Sequence, residues 1–460
     1  MKKRWIVVVV LCIYVFFGNI QALAEKHQQL PPIFAVEVLE EGRPILEGKA
    51  YVYKEYLQTT NEAVNAELKA MADAYEEKRI AELAPDPKKR GNRNSRLDID
   101  TVYYRTGERW LSTMMLARVV WYREQLSLDF STQTFDLATG QQIFLTDLFS
   151  EDSEAWDILS QGVQTQLQAV YPGEERREDA IAELSAKEAI AQASFTLSGM
   201  ELTLHYPAAA ILDEKTNLIH VRFYYPQFEG MLTSLGREVT DNSKWKMVAI
   251  TCDDGPKDFN STDALNAFRK VGARVTYFVV GKQLERYGDV FQRQFDQNHT
   301  FGNHTYNHWS GYTFKTGARR VRELTDTDVL TLALVGETAP FFRAPGGTYP
   351  PWMEAELMLP IIQWSLDTYD YTGKKPARIL YSIEKGVKEH DIILCHDTGK
   401  YLREAVPLFG KYLTENGYMM VTLQELLVAQ EVEAKSNVVY WSFRDGENSE
   451  AKGIMPKKKR

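Results

Sequence analysis

From residue 248 onward, apolar runs of strand length alternate with amphipathic stretches of helix length, and no other feature restricts the fold as much. The strand runs are 248–252, 275–280, a short one before His304, 341–343, 361–365, 392–395 and 419–421. Helical patterns separate them: from Ser261, over 289–297, from Ala318, over 377–388, over 403–415, and a last one from Leu423. Strands joined through helices lie parallel, because a parallel crossover needs a dozen or more residues. The fold class is therefore α/β, as a barrel or a doubly wound sheet. In either, chemistry gathers where the strands end, and Asp253, His304, Arg343, Asp367 and His396 all fall there.

The first of these strands ends in Asp253-Asp254-Gly255-Pro256. Side chains alternate across a strand, so the two carboxylates serve one site only if the backbone leaves the extended conformation, which Gly-Pro favours. Read alone, this is an ordinary polar turn. His304-Thr-Tyr-Asn-His308 spaces two imidazoles four residues apart, so on one helical turn they share a face. With a nearby carboxylate they make a ligand set suited to zinc or another divalent first-row ion, with a position left for water and substrate.

The 460 residues are 44% hydrophobic and 25% charged, enough for two or three domains with full cores. A net charge of -9 argues against a nucleic-acid partner, which needs a basic face. Residues 1–24 read as a signal peptide: a Met1-Lys-Lys-Arg4 n-region, an apolar run from Trp5 to Phe17, and Ala22-Leu-Ala24 as cleavage site. Extension through Ile20 and Leu23 makes an uncleaved membrane anchor the alternative. Both place the protein at the cell envelope or outside the cell. Beyond Cys12, only Cys252 and Cys395 remain, too few for a disulfide framework. They precede Asp253 and His396, so alternation turns them away from the site as buried free thiols, with a bridge between them as the alternative.

Residues 25–228 read as an α+β domain. A helix capped by Thr59 or Thr60 carries Val64, Leu68, Met71 and Tyr75, and a second from about Ser153 carries Trp156, Leu159, Val163, Leu167 and Val170. Strand patterns cover 101–104, 114–122, 126–135, 201–205 and 218–225. Residues 229–244 read as a linker, 245–430 as the second domain and 431–460 as a C-terminal tail, polar from Glu447 to Arg460.

The second domain resembles the polysaccharide deacetylase family, the NodB homology domain. Thr251-Cys-Asp-Asp-Gly-Pro256, His304-Thr-Tyr-Asn-His308, Arg343-Ala-Pro-Gly-Gly347, Asp367-Thr-Tyr-Asp-Tyr371 and Leu394-Cys-His396 look like its five motifs in order, and Asn298 to His304 like its run into the second. The resemblance implies a distorted (β/α) barrel of about seven strands and metal-dependent hydrolysis of N-acetyl groups on an aminosugar polymer. By position it implies Asp254, His304 and His308 as metal ligands and Asp253 as general base, with Arg343 its partner. The ion would be zinc first, with cobalt, nickel or manganese as alternatives. His396 would be the general acid, its pKa raised by Asp370. Gly346 would offer a backbone N–H to the oxyanion, and Leu394 and Tyr371 would line the substrate pocket. Asp367 would be a structural acid or orient Arg343.

Three positions depart from the family pattern: Cys252 for Phe, Gly346 for an aromatic, and Tyr371 for Trp. None removes a ligand, acid or base, so they bear on substrate shape. Phe135 to Gly140, Leu145 to Phe149 and Phe195 to Tyr225 resemble a domain that precedes the catalytic one in some bacterial peptidoglycan deacetylases, where a glycan-holding or spacer role is the expectation. Together these imply an exported N-deacetylase of peptidoglycan, with N-acetylglucosamine favoured and N-acetylmuramic acid next. Chitin oligomers and acetyl-xylan are alternative substrates within the same chemistry. A glycan-binding protein with an inactive deacetylase domain is the alternative of another class.

Overall fold

The computed structural model describes residues 35–45, 50–83, 95–121, 123–213, 215–309, 317–348 and 357–443. The expected leader, the basic loop at 85–90 and the tail from 444 lie outside the described residues.

The N-terminal region forms two sheets. Six strands, β1 (Glu37–Ile45), β2 (Ala50–Gln58), β3 (Ser95–Thr106), β4 (Trp110–Trp121), β5 (Glu124–Asp136) and β6 (Gln142–Ile143), pair in chain order. All these pairings are antiparallel except β2 with β3, where the helix Glu62–Arg79 makes the crossover. That helix starts one residue after the expected caps: Asn61 takes the free amides of Ala63 and Val64, and the Thr59 hydroxyl accepts from Asn61 N. β7 (Phe195–Leu197), β8 (Glu201–Pro207) and β9 (Leu218–Tyr224) form an antiparallel sheet packed on the helix Ala155–Ala169.

The C-terminal region is a curled parallel sheet. β10 (Lys246–Asp253) lies at its centre, beside β15 (Ile392–His396) on one edge. On the other edge its first half pairs with β16 (Tyr418–Val421) and its last three residues with β11 (Thr276–Val279). β12 (Thr300–Asn303) follows β11, and single bridges join Asn303 to Phe342 and Phe342 to Ile361. Ile361 begins β13 (Ile361–Ile362), and four residues later the chain pairs with β15 as β14 (Leu366–Asp367). The stretch 361–367 thus touches both ends of the sheet and closes it into a distorted (β/α) barrel. Because all its strands are parallel, their C-terminal ends share one rim.

Two expectations need correction. The segment 229–244 is not a free linker: Ser234–Thr240 is a helix capped by the Thr233 hydroxyl, with Val239 buried and Gly236 against Leu148. The expected tail contributes β17 (Val439–Tyr440), paired with β13, and buries Phe443. Apolar residues sparsely spaced among polar ones hid both from a periodicity reading.

The N-terminal region covers the end of the barrel opposite the rim, at loops that lead into strands. Tyr104 donates to Gln297 O (2.9 Å), Leu218 N to Asp296 Oδ1 (2.8 Å), Tyr171 N to Gly336 O (3.0 Å) and Trp245 Nε1 to Gly107 O (2.8 Å). Buried ion pairs join them: Arg269 with Glu55 (2.7 Å) and Arg274 with Glu201 (2.9 Å), while Arg274 also meets Glu425 within the barrel region (3.0 Å).

Candidate active site

Extended geometry ends where the sequence requires it. Asp253 closes β10 and Asp254 turns into the left-handed region (φ 77°), so consecutive carboxylates reach one rim. Gly255 follows because no side chain fits: a Cβ there would stand 2.3 Å from Asp397 Oδ2. Asp253 is nearly buried and its Oδ1 accepts from Arg343 Nη1 at 2.8 Å. The fully buried Arg343 also donates to Thr251 Oγ1 (2.8 Å), Ile362 O (2.9 Å) and Gln363 O (2.9 Å), and stacks 4.0 Å from the Phe278 ring centroid. Burial pushes the guanidinium pKa down, and the Asp253 carboxylate opposes that shift. A guanidinium this fully engaged leaves the carboxylate one orientation.

The imidazoles come together, but not on a helical turn. After β12 the chain is a loop, with Thr305 and His308 in the left-handed region (φ 66° and 58°) and Asn303 Oδ1 accepting from Thr305 N. His304 Nδ1 donates to Arg343 O at 2.8 Å, which leaves Nε2 to face Asp254 Oδ1 (3.5 Å) and Asp253 Oδ2 (3.8 Å). His308 Nε2 stands 2.9 Å from Asp254 Oδ1. One ligand atom from each of Asp254, His304 and His308 lies within 4.8 Å of the others. Asp254 Oδ1 is buried with no hydrogen bond aligned to it. An orphaned carboxylate oxygen facing two imidazole nitrogens is a donor set that fits a divalent cation. Burial pushes the Asp254 carboxyl pKa up, but the two imidazoles outweigh it and hold the value well below the usual range.

His396 ends β15 in register with Asp253. Its Nδ1 meets Asp370 Oδ1 at 2.9 Å and its backbone N donates to Asp370 Oδ2 at 2.7 Å. Burial lowers the imidazole pKa, but the bond to Asp370 prevails and it is raised to about 9. The outer nitrogen of a protonated ring is free to donate. Leu394, two residues back on the same face, is buried between Thr251 and Asp367 in the sheet. The exposed Tyr371 ring sits edge-on to His396, centroids 5.2 Å apart.

Asp367 does not orient Arg343: it accepts from Tyr371 Oη (3.2 Å) and Tyr369 N (2.7 Å), shaping the turn after β14. Gly346 is exposed at φ 66°, with open space where a side chain would be. Cys252 and Cys395 are buried free thiols, neighbours in register on β10 and β15. Three contributors escaped the sequence reading. Thr251 shares Arg343 with Asp253, while Trp309 and Tyr369 are exposed aromatics beside His308 and Tyr371. An aromatic directly after the second imidazole was the available signal for Trp309.

Comparison with known proteins bears on this geometry. A model of the polysaccharide deacetylase family matches residues 240–357. A peptidoglycan-N-acetylglucosamine deacetylase of Bacillus cereus is 30% identical over 199 residues, which are 41% of this chain and 91% of that one. The chain belongs to the polysaccharide deacetylase family. Among its other relatives, the Bacillus subtilis peptidoglycan-N-acetylmuramic acid deacetylase PdaC is 24% identical over 49% of this chain and 48% of its own length. The Listeria monocytogenes peptidoglycan-N-acetylglucosamine deacetylase PgdA is 26% identical over 39% of each. The matches thus span about half or less of PdaC and PgdA, and the family core starts at the end of the helix Ser234–Thr240.

Proposed function

We propose that this chain is an exported, metal-dependent hydrolase that removes N-acetyl groups from the aminosugars of cell-wall peptidoglycan, N-acetylglucosamine before N-acetylmuramic acid. One observation carries the reading: a guanidinium-locked carboxylate, a cluster of one carboxylate and two imidazoles, and a carboxylate-backed imidazole meet on a single barrel rim. Export rests on the n-region and apolar run of residues 1–24.

Asp254, His304 and His308 would hold the ion, with zinc the best match to two nitrogens and one oxygen. A bound divalent ion would polarise the acetyl carbonyl and acidify a water. Asp253 Oδ1 is committed to Arg343, so Oδ2, on the side of His304, takes the proton of the attacking water. His396, protonated at neutral pH, passes its proton to the departing amine nitrogen, which is too basic to leave as an anion. The Gly346 N–H would meet the developing oxyanion, and Leu394 and Tyr371 would line the methyl end of the acetyl group.

The purified protein, loaded with zinc, is expected to release acetate from peptidoglycan. Mass spectrometry of the muropeptides is expected to show the missing acetyl on N-acetylglucosamine. Loss from N-acetylmuramic acid would move the preference to the second sugar. Release from chitin oligomers or acetylated xylan alone would replace the polymer, and no release from any would leave a glycan-binding protein.

A further inference from the structure

The loop that carries both imidazoles is held from two sides. On one, the N-terminus of the helix Gly281–Asp296 donates from Gly281 N to Thr305 O (3.1 Å) and from Lys282 N to Tyr306 O (2.9 Å). On the other, the helix Gly317–Val335 presents Glu323, whose own carbonyl accepts from Tyr306 N at 2.8 Å. The Glu323 carboxylate then takes both donors of the next residue: Asn307 N on Oε2 (2.8 Å) and Asn307 Nδ2 on Oε1 (2.7 Å). Glu323 is 3% exposed. Burying a carboxylate is costly unless it is hydrogen-bonded, and this one uses both oxygens on the residue just before His308.

We propose that Glu323 is a positioning residue for the cation site: by clamping Asn307 it holds His308 in the left-handed turn that aims Nε2 at Asp254. His304 does not need this help. It leaves β12 directly and its Nδ1 is fixed by Arg343 O, whereas His308 is 46% exposed in its side chain and sits at φ 58°, an uncommon conformation for a residue with a Cβ. Of the three ligands, His308 is therefore the one whose placement is set by the loop. Releasing the clamp leaves a two-ligand site of lower affinity. The proposal rests on reading Asp254, His304 and His308 as cation ligands.

Glu323→Ala deletes both acceptors. Glu323→Gln keeps the clamp: its amide oxygen still accepts from Asn307 N, and its NH2 donates to the Asn307 oxygen once that side chain flips. Asn307→Ala removes only the 2.7 Å bond. The test measures zinc and cobalt(II) affinity of the full chain against a chromophoric chelator, with the visible spectrum of the cobalt form and the melting temperature of the metal-free protein. Glu323→Ala is expected to weaken both ions by about 10- to 100-fold, the usual effect of removing a group that orients a ligand, and to alter the cobalt spectrum. Asn307→Ala follows in the same direction with a smaller loss, and Glu323→Gln stays near the parent.

Parent-like affinity and spectrum in Glu323→Ala, or a loss in Glu323→Gln as large as in Glu323→Ala, would overturn the proposal. If Glu323→Ala fails to fold, parent-like affinity in Asn307→Ala overturns it instead. A parent that binds neither ion refutes the cation reading itself, a result distinct from the failure of the clamp.

Discussion

The two ends of the barrel use the same side-chain types to opposite ends. At the covered end, Arg269 lies between Glu55 (2.7 Å) and Asp100 (3.3 Å), and Arg118 holds Asp100 at 2.6 Å, all with side chains at most 2% exposed. His205 and His220 share a bond there at 2.8 Å, and burial pushes the His205 pKa down to about 3. At the rim, the Asp254 and His308 side chains keep 33% and 46% exposure, and Asp370 moves His396 the other way, up to about 9. Charge density does not separate the two ends. What separates them is whether a ligand can reach the polar atoms: one end buries its charged side chains against each other and the other leaves Asp254 and His308 open to solvent.

The sharpest break between the ends comes from paired substitutions. Asp253→Asn at the rim is expected to lower kcat by about 10²- to 10⁴-fold, the range for losing a general base, with metal content by elemental analysis and melting temperature nearly unchanged. His304→Ala should instead lose the metal, and equal metal loss in both would refute the division between base and ligand. Glu55→Ala at the covered end is expected to do the converse. Removing one partner of a buried pair costs about 3 to 5 kcal/mol in urea unfolding, while activity per folded molecule stays at the parent value.

Asp370→Asn probes the raised imidazole. If His396 is the general acid proposed above, it works protonated, so activity is expected to fall as pH rises through about 9, and without Asp370 that limb of the kcat profile shifts down toward 6.5. By the same sign, the stability this pair contributes is fully present below about 6.5 and is lost as pH rises through about 9. A limb that does not move would detach Asp370 from the acid. The smallest effect is expected from Tyr371→Phe, which removes the 3.2 Å bond to Asp367 but keeps the ring, at about 1 kcal/mol in KM-weighted rate for polymer substrates.

The rim was legible in the sequence because parallel strands put their last residues in one place, so motifs far apart in the chain converge once the alternation is recognised. Asp253, Asp254, Arg343 and His396 needed no more than that. The His304–His308 spacing gave the right partners for the wrong reason, since two left-handed residues, not a helical turn, bring the rings together. The covered end was not legible at all. Glu55, Asp100, Arg118 and Arg269 belong to four separate elements, and nothing in a charged residue's neighbours says that it will be buried against a charge far along the chain. The N-terminal region, for which a glycan-holding or spacer role is expected, packs at that end.

Arg343 fixes Asp253 and also donates to Ile362 O and Gln363 O, in the stretch where the sheet meets itself. The guanidinium is thus both the seam of the ring and the brace of the Asp253 carboxylate. Closing the sheet through 361–367 and aiming the Asp253 carboxylate therefore depend on one side chain, and a change that loosens either loosens both.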